Sequence, residues 1–531
     1  MKNLKKTFHS SIVNCIDYLY TMKINIIGAG VAGLSAGCYL QMNGFETTIF
    51  EQHSTFGGLC TGWKRNGFTF ESGLQWLLGS GRSNPFYLLW SELIDMETIR
   101  FVHHEVRVEI EVKDHRDISG DKVFHLYTNL DRLEKYMLSI APEDEPMIRK
   151  LIRSMRKMQG YEIPPMIRSV PQLLPWYRKI RYIRFLPLLL FLNRIKRETN
   201  FTFADKLKNP FLKEAFRLLF DGDEMPLLII TLPLAFNDLK GTGYPIGGSV
   251  DFVGKLEQRY LESGGRIRYG SGVDRITVEN NQATGVVLRS GESVPSGITI
   301  SASDWNFTVF KALERKYVDR TILKLHNQEN LKVFYSVFMV SLGVAATFAD
   351  QPHFLRFPLS EPLVSPDGTK YERMEVHINN YDPTSAPQGK TVISISFYTR
   401  NADFWINLRQ SDRTTYEAEK EKFARLIIGH ADARFGGLKE KAEVVDVATP
   451  ATFQRYTNNW KGSVQGWLPG KNIIAQSPVQ SKLPGLKNFY FCGHWAIPGG
   501  GLPVAIKSAR DVAQMICHRE KVPFRIKPHL P

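Results

Sequence analysis

The first ordered pattern in the chain is a short uninterrupted apolar run, Ile24 to Ile27, as expected of a strand buried on both faces of a parallel sheet. Apolar positions then predict a helix from about Val31 to Met42, closed by Gly44, and a second strand from Thr47 to Phe50. From about Leu89 to Tyr244 the character becomes helical, basic and apolar. Val250 to Glu262 is an amphipathic helix ended by Gly264 and Gly265, and short strands follow at Arg266–Tyr269, Asp274–Val278 and Gly285–Arg289, before ITISASD at Ile298–Asp304. Between Trp305 and about Asn472 apolar strands alternate with polar turns, including Val333–Leu342 and Thr391–Tyr398. A last strand, Phe489–Cys492, and a last helix, Leu502–Cys517, complete the pattern. No apolar run reaches the roughly 18 residues needed to span a bilayer. The nearest, Val333 to Ala349, is rich in β-branched residues and phenylalanine and reads as a buried strand.

The junction between the first strand and the first helix carries candidate chemistry. Gly28, Gly30 and Gly33 give G-x-G-x-x-G, with Val31 and Ala32 opening the helix. The first glycine makes the tight turn, the second lets the backbone approach a pyrophosphate, and the third permits close helix–strand packing. The helix N-terminus favours a phosphate anion. Glu51, followed by Gln52, closes the second strand where an acid would accept hydrogen bonds from an adenosine ribose. An acid suits a free 2′-hydroxyl and disfavours a 2′-phosphate, which leaves FAD and NAD open and argues against NADP.

The following stretch, HSTFGGLCTGWKRNGFTFESGLQWLLGS, places the pair Gly57–Gly58 ahead of a hairpin of the form G-[FY]-x-[FY]-[DE]-x-G. This order resembles the FAD-dependent amine-oxidase and phytoene-desaturase superfamily. The resemblance implies that the glycine pair passes beside the flavin and that the hairpin crosses under the isoalloxazine. Most members have arginine after the pair; here Leu59 stands there, with Lys64 or Arg65 as substitutes. A second segment, from YPIGGS at Tyr244–Ser249 to SASD at Ser301–Asp304, is similar to the superfamily's second FAD segment. It implies a backbone contact from Val273 to the adenine and a return of Ser301–Asp304 towards the cofactor. TPATFQRYTNNWKGSVQGW looks like the phytoene-desaturase group. Tyr456, Trp460 and Trp467 are candidates there for lining a tunnel, with core packing the stronger expectation for any one of them. The most specific match is LKNFYFCGHWAIPGGGLPVAIKSAR, in which Gly493 starts a turn and Gly499–Gly500–Gly501 leads into the helix at Leu502. By resemblance that helix N-terminus faces the flavin pyrimidine, where its dipole stabilises negative charge.

Composition adds one feature. Of 531 residues, 43% are hydrophobic and 23% charged, as in a soluble globular protein, but the net charge is +15. Met147–Arg197 holds thirteen Lys or Arg and one acid, Glu162, so +12 of that charge lies in one segment, beside the apolar patch Leu186–Leu192. Set against a solvated basic face, this combination favours an anionic membrane surface; nucleic acid is disfavoured, since no helix-turn-helix, finger or RNA-recognition signature accompanies the charge. Cys15, Cys38, Cys60, Cys492 and Cys517 are scattered without a C-x-x-C pair, so neither a metal site nor a disulfide framework is expected, and a cytoplasmic, peripherally membrane-associated setting fits.

The resulting expectation is an α/β protein. An FAD-binding Rossmann-like domain is built from discontinuous segments (22–90, 244–305 and 470–520), and an α+β substrate domain is inserted as 91–243 and 306–469. Residues 1–21 are read as a disordered extension or a misassigned start, because Met22 leads directly into the first strand, and 521–531 as a tail. The implied activity is hydride exchange between flavin N5 and a long apolar isoprenoid, carotenoid-like or retinoid-like, forming or saturating a carbon–carbon double bond. Two alternatives stand beside it: a carotenoid cis–trans isomerase using reduced FAD, and a flavin-free isoprenoid escort of the GDP-dissociation-inhibitor type. His494, in the turn before the glycine run, is the foremost polar candidate near the flavin, with Gln75 and Trp76 on the opposite wall.

Overall fold

Five parallel strands form the first sheet of the computed structural model, which describes residues 22–526 apart from 161–169, 171–172, 174–184, 196–197, 221–222, 330 and 471–478. Their order is Arg266–Arg268, Glu46–Phe50, Lys23–Ile27, Ile298–Ser301 and Phe489–Phe491. Each of the three segments expected to bind the cofactor contributes at least one strand, paired in parallel register with its neighbours. The helix Val31–Met42 occupies the predicted span, and eleven of its twelve residues are buried because it lies between the helices Gly248–Glu262 and Gly501–Arg519. That approach needs Gly37: a Cβ there would sit 2.4 Å from the Tyr260 ring. The Tyr260 hydroxyl in turn donates to the Thr47 carbonyl at 3.0 Å, fixing helix to strand. The C-terminal helix is anchored by a buried ion pair, Arg510 Nε to Glu92 Oε2 at 2.6 Å.

The second sheet has seven strands in the order Ala442–Ala448, Ser336–Val344, Thr391–Thr399, Lys370–Ile378, Phe354–Val364, Val106–Glu111 and Val123–Tyr127. All neighbours are antiparallel except Phe354–Val364 with Val106–Glu111. The last two strands correct the reading of Leu89–Tyr244 as helical throughout. VRVEIE and VFHLY are short stretches of alternating burial that complete the sheet edge before the helices Leu130–Ile140, Glu145–Gln159 and Leu228–Asp238 pack over it. The hairpin Gly62–Arg65/Phe68–Glu71 joins the two halves, with Phe68 and Phe70 buried against Val392 of the second sheet.

The expected tail also needs correction at its start. Val522 and Phe524 pack on the first core, and Arg525 exchanges hydrogen bonds with the Asn43 side chain, at 2.7 Å through its N–H and 3.0 Å through its carbonyl. The extension 1–21 and much of the basic segment, with Arg178, Lys179, Arg181 and Arg184, lie outside the described residues. No helix among the described residues is long and apolar enough to cross a membrane.

Candidate active site

A cavity of about 650 Å³ begins at the C-terminal edge of the parallel sheet, where open α/β sheets bind ligands, and extends under the second sheet. Gly28, Gly30, Val31 and Ala32 form its floor at the nucleotide end. Gly33 does not line it; a Cβ there would lie 1.9 Å from the Gly28 carbonyl oxygen, so this glycine serves helix–strand packing. At Gly30 the nearest protein atom to an added Cβ is 3.8 Å away, which leaves cavity space against bare backbone. Gly57 donates its N–H to the Ala29 carbonyl at 2.9 Å, drawing Gly57, Gly58 and Leu59 onto the same wall.

Glu51 sits at this end, 8% exposed, with Gln52 beside it. Its two carboxylate oxygens accept main-chain N–H bonds from Ala29 at 2.7 Å and His53 at 2.9 Å. Burial raises its pKa, and those two amide bonds oppose the rise. The acid therefore holds the glycine loop in place from the cavity wall. Val273 lines the cavity where the adenine contact is expected, and Ala302, Ser303 and Asp304 return to it. Asp304 is a scaffold residue: its carboxylate accepts from the Phe307 and Trp460 amides at 2.7 and 2.8 Å, and burial pushes its pKa up to about 7.

Neither Lys64 nor Arg65 reaches the cavity. Arg65 lies on the outer hairpin and pairs with Asp446 at 3.4 Å. The cation at the nucleotide end is instead Arg289, which donates to Gln52 Oε1 at 3.0 Å. Sequence reading placed Arg289 at the end of a strand within the second FAD-like segment but assigned it no role, because the resemblance there rests on the glycines and apolar positions around it.

At the other end Gly493, Gly500, Gly501 and Leu502 line the cavity, and the helix Gly501–Arg519 starts there with its N-terminus turned to the cavity. Gly500 has φ +49°, and its Cβ position lies 2.0 Å from the Gln465 carbonyl oxygen. Its requirement for glycine therefore comes from the backbone of the Gln465 loop beside it, in addition to any ligand. The His494 ring is buried on this wall, its Nε2 has no hydrogen-bond partner, and burial pushes its pKa down to about 4, so it is neutral at ordinary pH.

Gln75 and Trp76 line the cavity, and both are engaged. Gln75 Nε2 lies 2.8 Å from His377 Nε2, and the Arg107 guanidinium sits 4.5 Å from the Trp76 ring centroid. Of the three aromatics proposed for a tunnel, Tyr456 lines the cavity, whereas Trp460 and Trp467 pack with Trp305 and Trp495 in the core. The lining also includes a set of apolar side chains, Leu228, Ile229 and Leu232 from the helix Leu228–Asp238 and Phe334, Val337 and Met339 at and before the strand Ser336–Val344.

The glycine floor, the buried acid, the cation at Arg289 and the helix N-terminus suit a long dinucleotide with phosphates in the middle, so the residues fit FAD. Comparison with known proteins decides the family, because the model of flavin-containing amine oxidoreductases matches residues 31–517. The chain belongs to that family. It is an FAD-dependent oxidoreductase, and the flavin-free escort reading is left without support. Among curated relatives, the 4,4'-diapophytoene desaturase (4,4'-diapolycopene-forming) of Methylomonas sp. is 24% identical, covering 96% of this chain and 98% of its own. The chloroplastic prolycopene isomerase of Daucus carota is also 24% identical, covering 90% of this chain and 77% of its own. An oxidoreductase from Methanosarcina mazei has the same fold, with TM-score 0.56 at 18% identity, covering 92% of this chain and 99% of that one. Cyclohexylamine oxidase from Brevibacterium oxydans aligns at TM-score 0.53 and 15% identity, over 94% and 99% of the two chains.

Proposed function

We propose that this family member acts on a long apolar isoprenoid of the carotenoid or retinoid kind, forming or saturating a carbon–carbon double bond. The observation that carries the reading is that one cavity is lined both by the cofactor-end glycines and by the apolar side chains Leu228, Ile229, Leu232, Phe334, Val337 and Met339. An apolar chain laid against those side chains exchanges water for them at about 25 cal/mol per Å² of apolar surface. Bound FAD would supply hydride exchange at its N5 atom. The helix N-terminus at Gly501 would stabilise negative charge at the ring, and His494, held neutral by burial, places an imidazole on that wall without adding a competing cation. A polyene delocalises developing charge along its own chain, so the site has no need of a strong base.

The relatives named desaturases and isomerases support the substrate class equally, and isomerisation is therefore the second reading. Anaerobic incubation of the purified flavoprotein with a panel of polyenes separates them. A change of two hydrogens in product mass, with matching flavin bleaching or reoxidation, is expected for redox chemistry. Geometric isomers formed only with pre-reduced flavin and no mass change would establish the isomerase. Absence of any product or flavin response across the panel would overturn the substrate class.

We also propose that the segment 147–197 docks on an anionic membrane, the reservoir of such a substrate. In its described part, Leu186 and Leu190 are 50% and 61% exposed on the helix Leu186–Ile195, and Lys150 and Arg153 face solvent on Glu145–Gln159. Arg149 and Arg156 are engaged with Asp131, Glu134 and Glu145, which lowers the free charge of that helix.

A further inference from the structure

Beside the main cavity lies a smaller one of about 60 Å³, and the two share Gln75, Trp76, Tyr244, His377 and Tyr381 as a common wall. Its contents are out of keeping with a pure hydrocarbon substrate. Arg107, from the strand Val106–Glu111, lines it and is half-buried. Its Nη1 donates to Asn237 Oδ1 at 3.0 Å and its guanidinium lies over Trp76; among the described residues it has no carboxylate ion pair.

The neighbours do not supply the missing charge. Arg356 is the other cation near it and is already matched by Glu375, at 2.6 Å, which also faces His377 at 3.3 Å. His104 and His353 stack at 3.5 Å between centroids, and burial pushes them down to about 4 and about 2, so both are neutral. His104 Nε2 has no hydrogen-bond partner. Glu71 and Asp382, beside the shared wall, are held by Ser249, Tyr244 and Gly247, so Arg107 has no ion-pair partner among the described residues, a cost that a matched anion removes. The guanidinium fork fits a carboxylate geometrically, and a space of this size admits a carboxylate or a few waters but no larger head group.

Resting on the isoprenoid reading of the main cavity, we propose that the small cavity is the head-group end of the substrate site, where Arg107 receives a carboxylate carried by the polyene. The substrate class narrows accordingly to isoprenoid polyenes with an acid terminus. Trp76, facing both cavities, marks the passage between chain and head group.

The test uses the purified flavoprotein with three probes: retinoic acid, its methyl ester and a hydrocarbon polyene, titrated by the change in ligand and flavin absorption. The wild type is expected to bind the acid at least about tenfold tighter than the ester. Arg107→Met is expected to erase that preference, leaving ester binding and flavin content as they were, and Arg107→Lys to restore part of it. Because Met removes an unpaired half-buried charge, its melting temperature should not fall, whereas a purely structural arginine would give a marked drop. Equal binding of acid and ester by the wild type, or an undiminished acid preference in Arg107→Met, would overturn the proposal while hydrocarbon binding keeps the isoprenoid reading intact. If Arg107→Met does not fold, the wild-type comparison and Arg107→Lys decide. Failure of all three probes would remove both.

Discussion

Replacing Glu51 by glutamine changes one atom type and separates the two tasks assigned to this acid. The carboxylate is 8% exposed and accepts from Ala29 N–H at 2.7 Å and His53 N–H at 2.9 Å. Glutamine offers one acceptor oxygen, so one of these amides loses its partner and meets an NH₂ group. A bond to a charged acceptor contributes about 1.5–3 kcal/mol. Burial raises the Glu51 pKa, so the neutral variant also escapes a desolvation penalty, and the loss in the apoprotein should fall at the lower end of that range. FAD affinity should drop further, because the ribose hydroxyls lose the charged acceptor as well, by about tenfold to a hundredfold. Flavin titration of the apoprotein, followed by fluorescence quenching, measures the second effect, and thermal melting with and without FAD isolates the first. Glu51→Asp, which keeps the charge but shortens the reach, should show weaker FAD binding with less loss of ionic character. Wild-type FAD affinity together with a wild-type apoprotein melting temperature in Glu51→Gln would refute the assignment of Glu51 to both loop and ribose.

Gly500→Ala forces φ +49° on a residue with a side chain and places its Cβ 2.0 Å from the Gln465 carbonyl, so melting should fall by the equivalent of at least about 1–3 kcal/mol and flavin content with it. Gly44→Ala, at φ +85° with nothing within 4 Å, should cost only about 1 kcal/mol and serves as the control in the same melting assay. Glu71 has a carboxyl pushed up to about 7 by burial, against an ordinary 4.5, so the native state holds a proton that the unfolded chain releases. Stability should therefore fall as pH rises between about 4.5 and about 7, by about 3 kcal/mol at 1.36 kcal/mol per pH unit, and urea melts of Glu71→Gln should show that much less slope. Exchange of Arg178, Lys179, Arg181 and Arg184 for glutamate should abolish co-sedimentation with acidic liposomes and spare the flavin spectrum; binding indifferent to this change and to salt would return the segment to a solvated basic face.

The cofactor half was legible because its requirements fall on the backbone. A strand, a turn with positive φ, a close approach at Gly33 and a helix N-terminus leave glycines at fixed spacing, and those glycines are visible in one sequence. Helix Val31–Met42 appears where its pattern placed it for the same reason. The substrate half depends on side chains brought together from distant positions. Arg107 meets Trp76 and Asn237 without any local motif. The strands Val106–Glu111 and Val123–Tyr127 were hidden because two brief alternations sit next to long helical stretches whose periodicity dominates.

The two halves meet through hydrogen bonds that the hairpin alone would not supply. Glu71, at the end of the hairpin, accepts from Ser249 N–H at 2.6 Å, and the Tyr244 hydroxyl reaches Glu71 at 3.4 Å and Asp382 at 3.1 Å. Asp382 also accepts from Gly247 N–H at 3.1 Å, and follows the strand Lys370–Ile378. The first FAD segment, the second FAD segment and the substrate sheet thus converge on one buried polar cluster, at the wall shared by the two cavities. A cluster of this kind stabilises only when every member is matched, so it fixes one geometry where apolar contacts alone would tolerate several. Hydride exchange requires such fixity, since reacting carbons must lie within a narrow distance of the flavin ring.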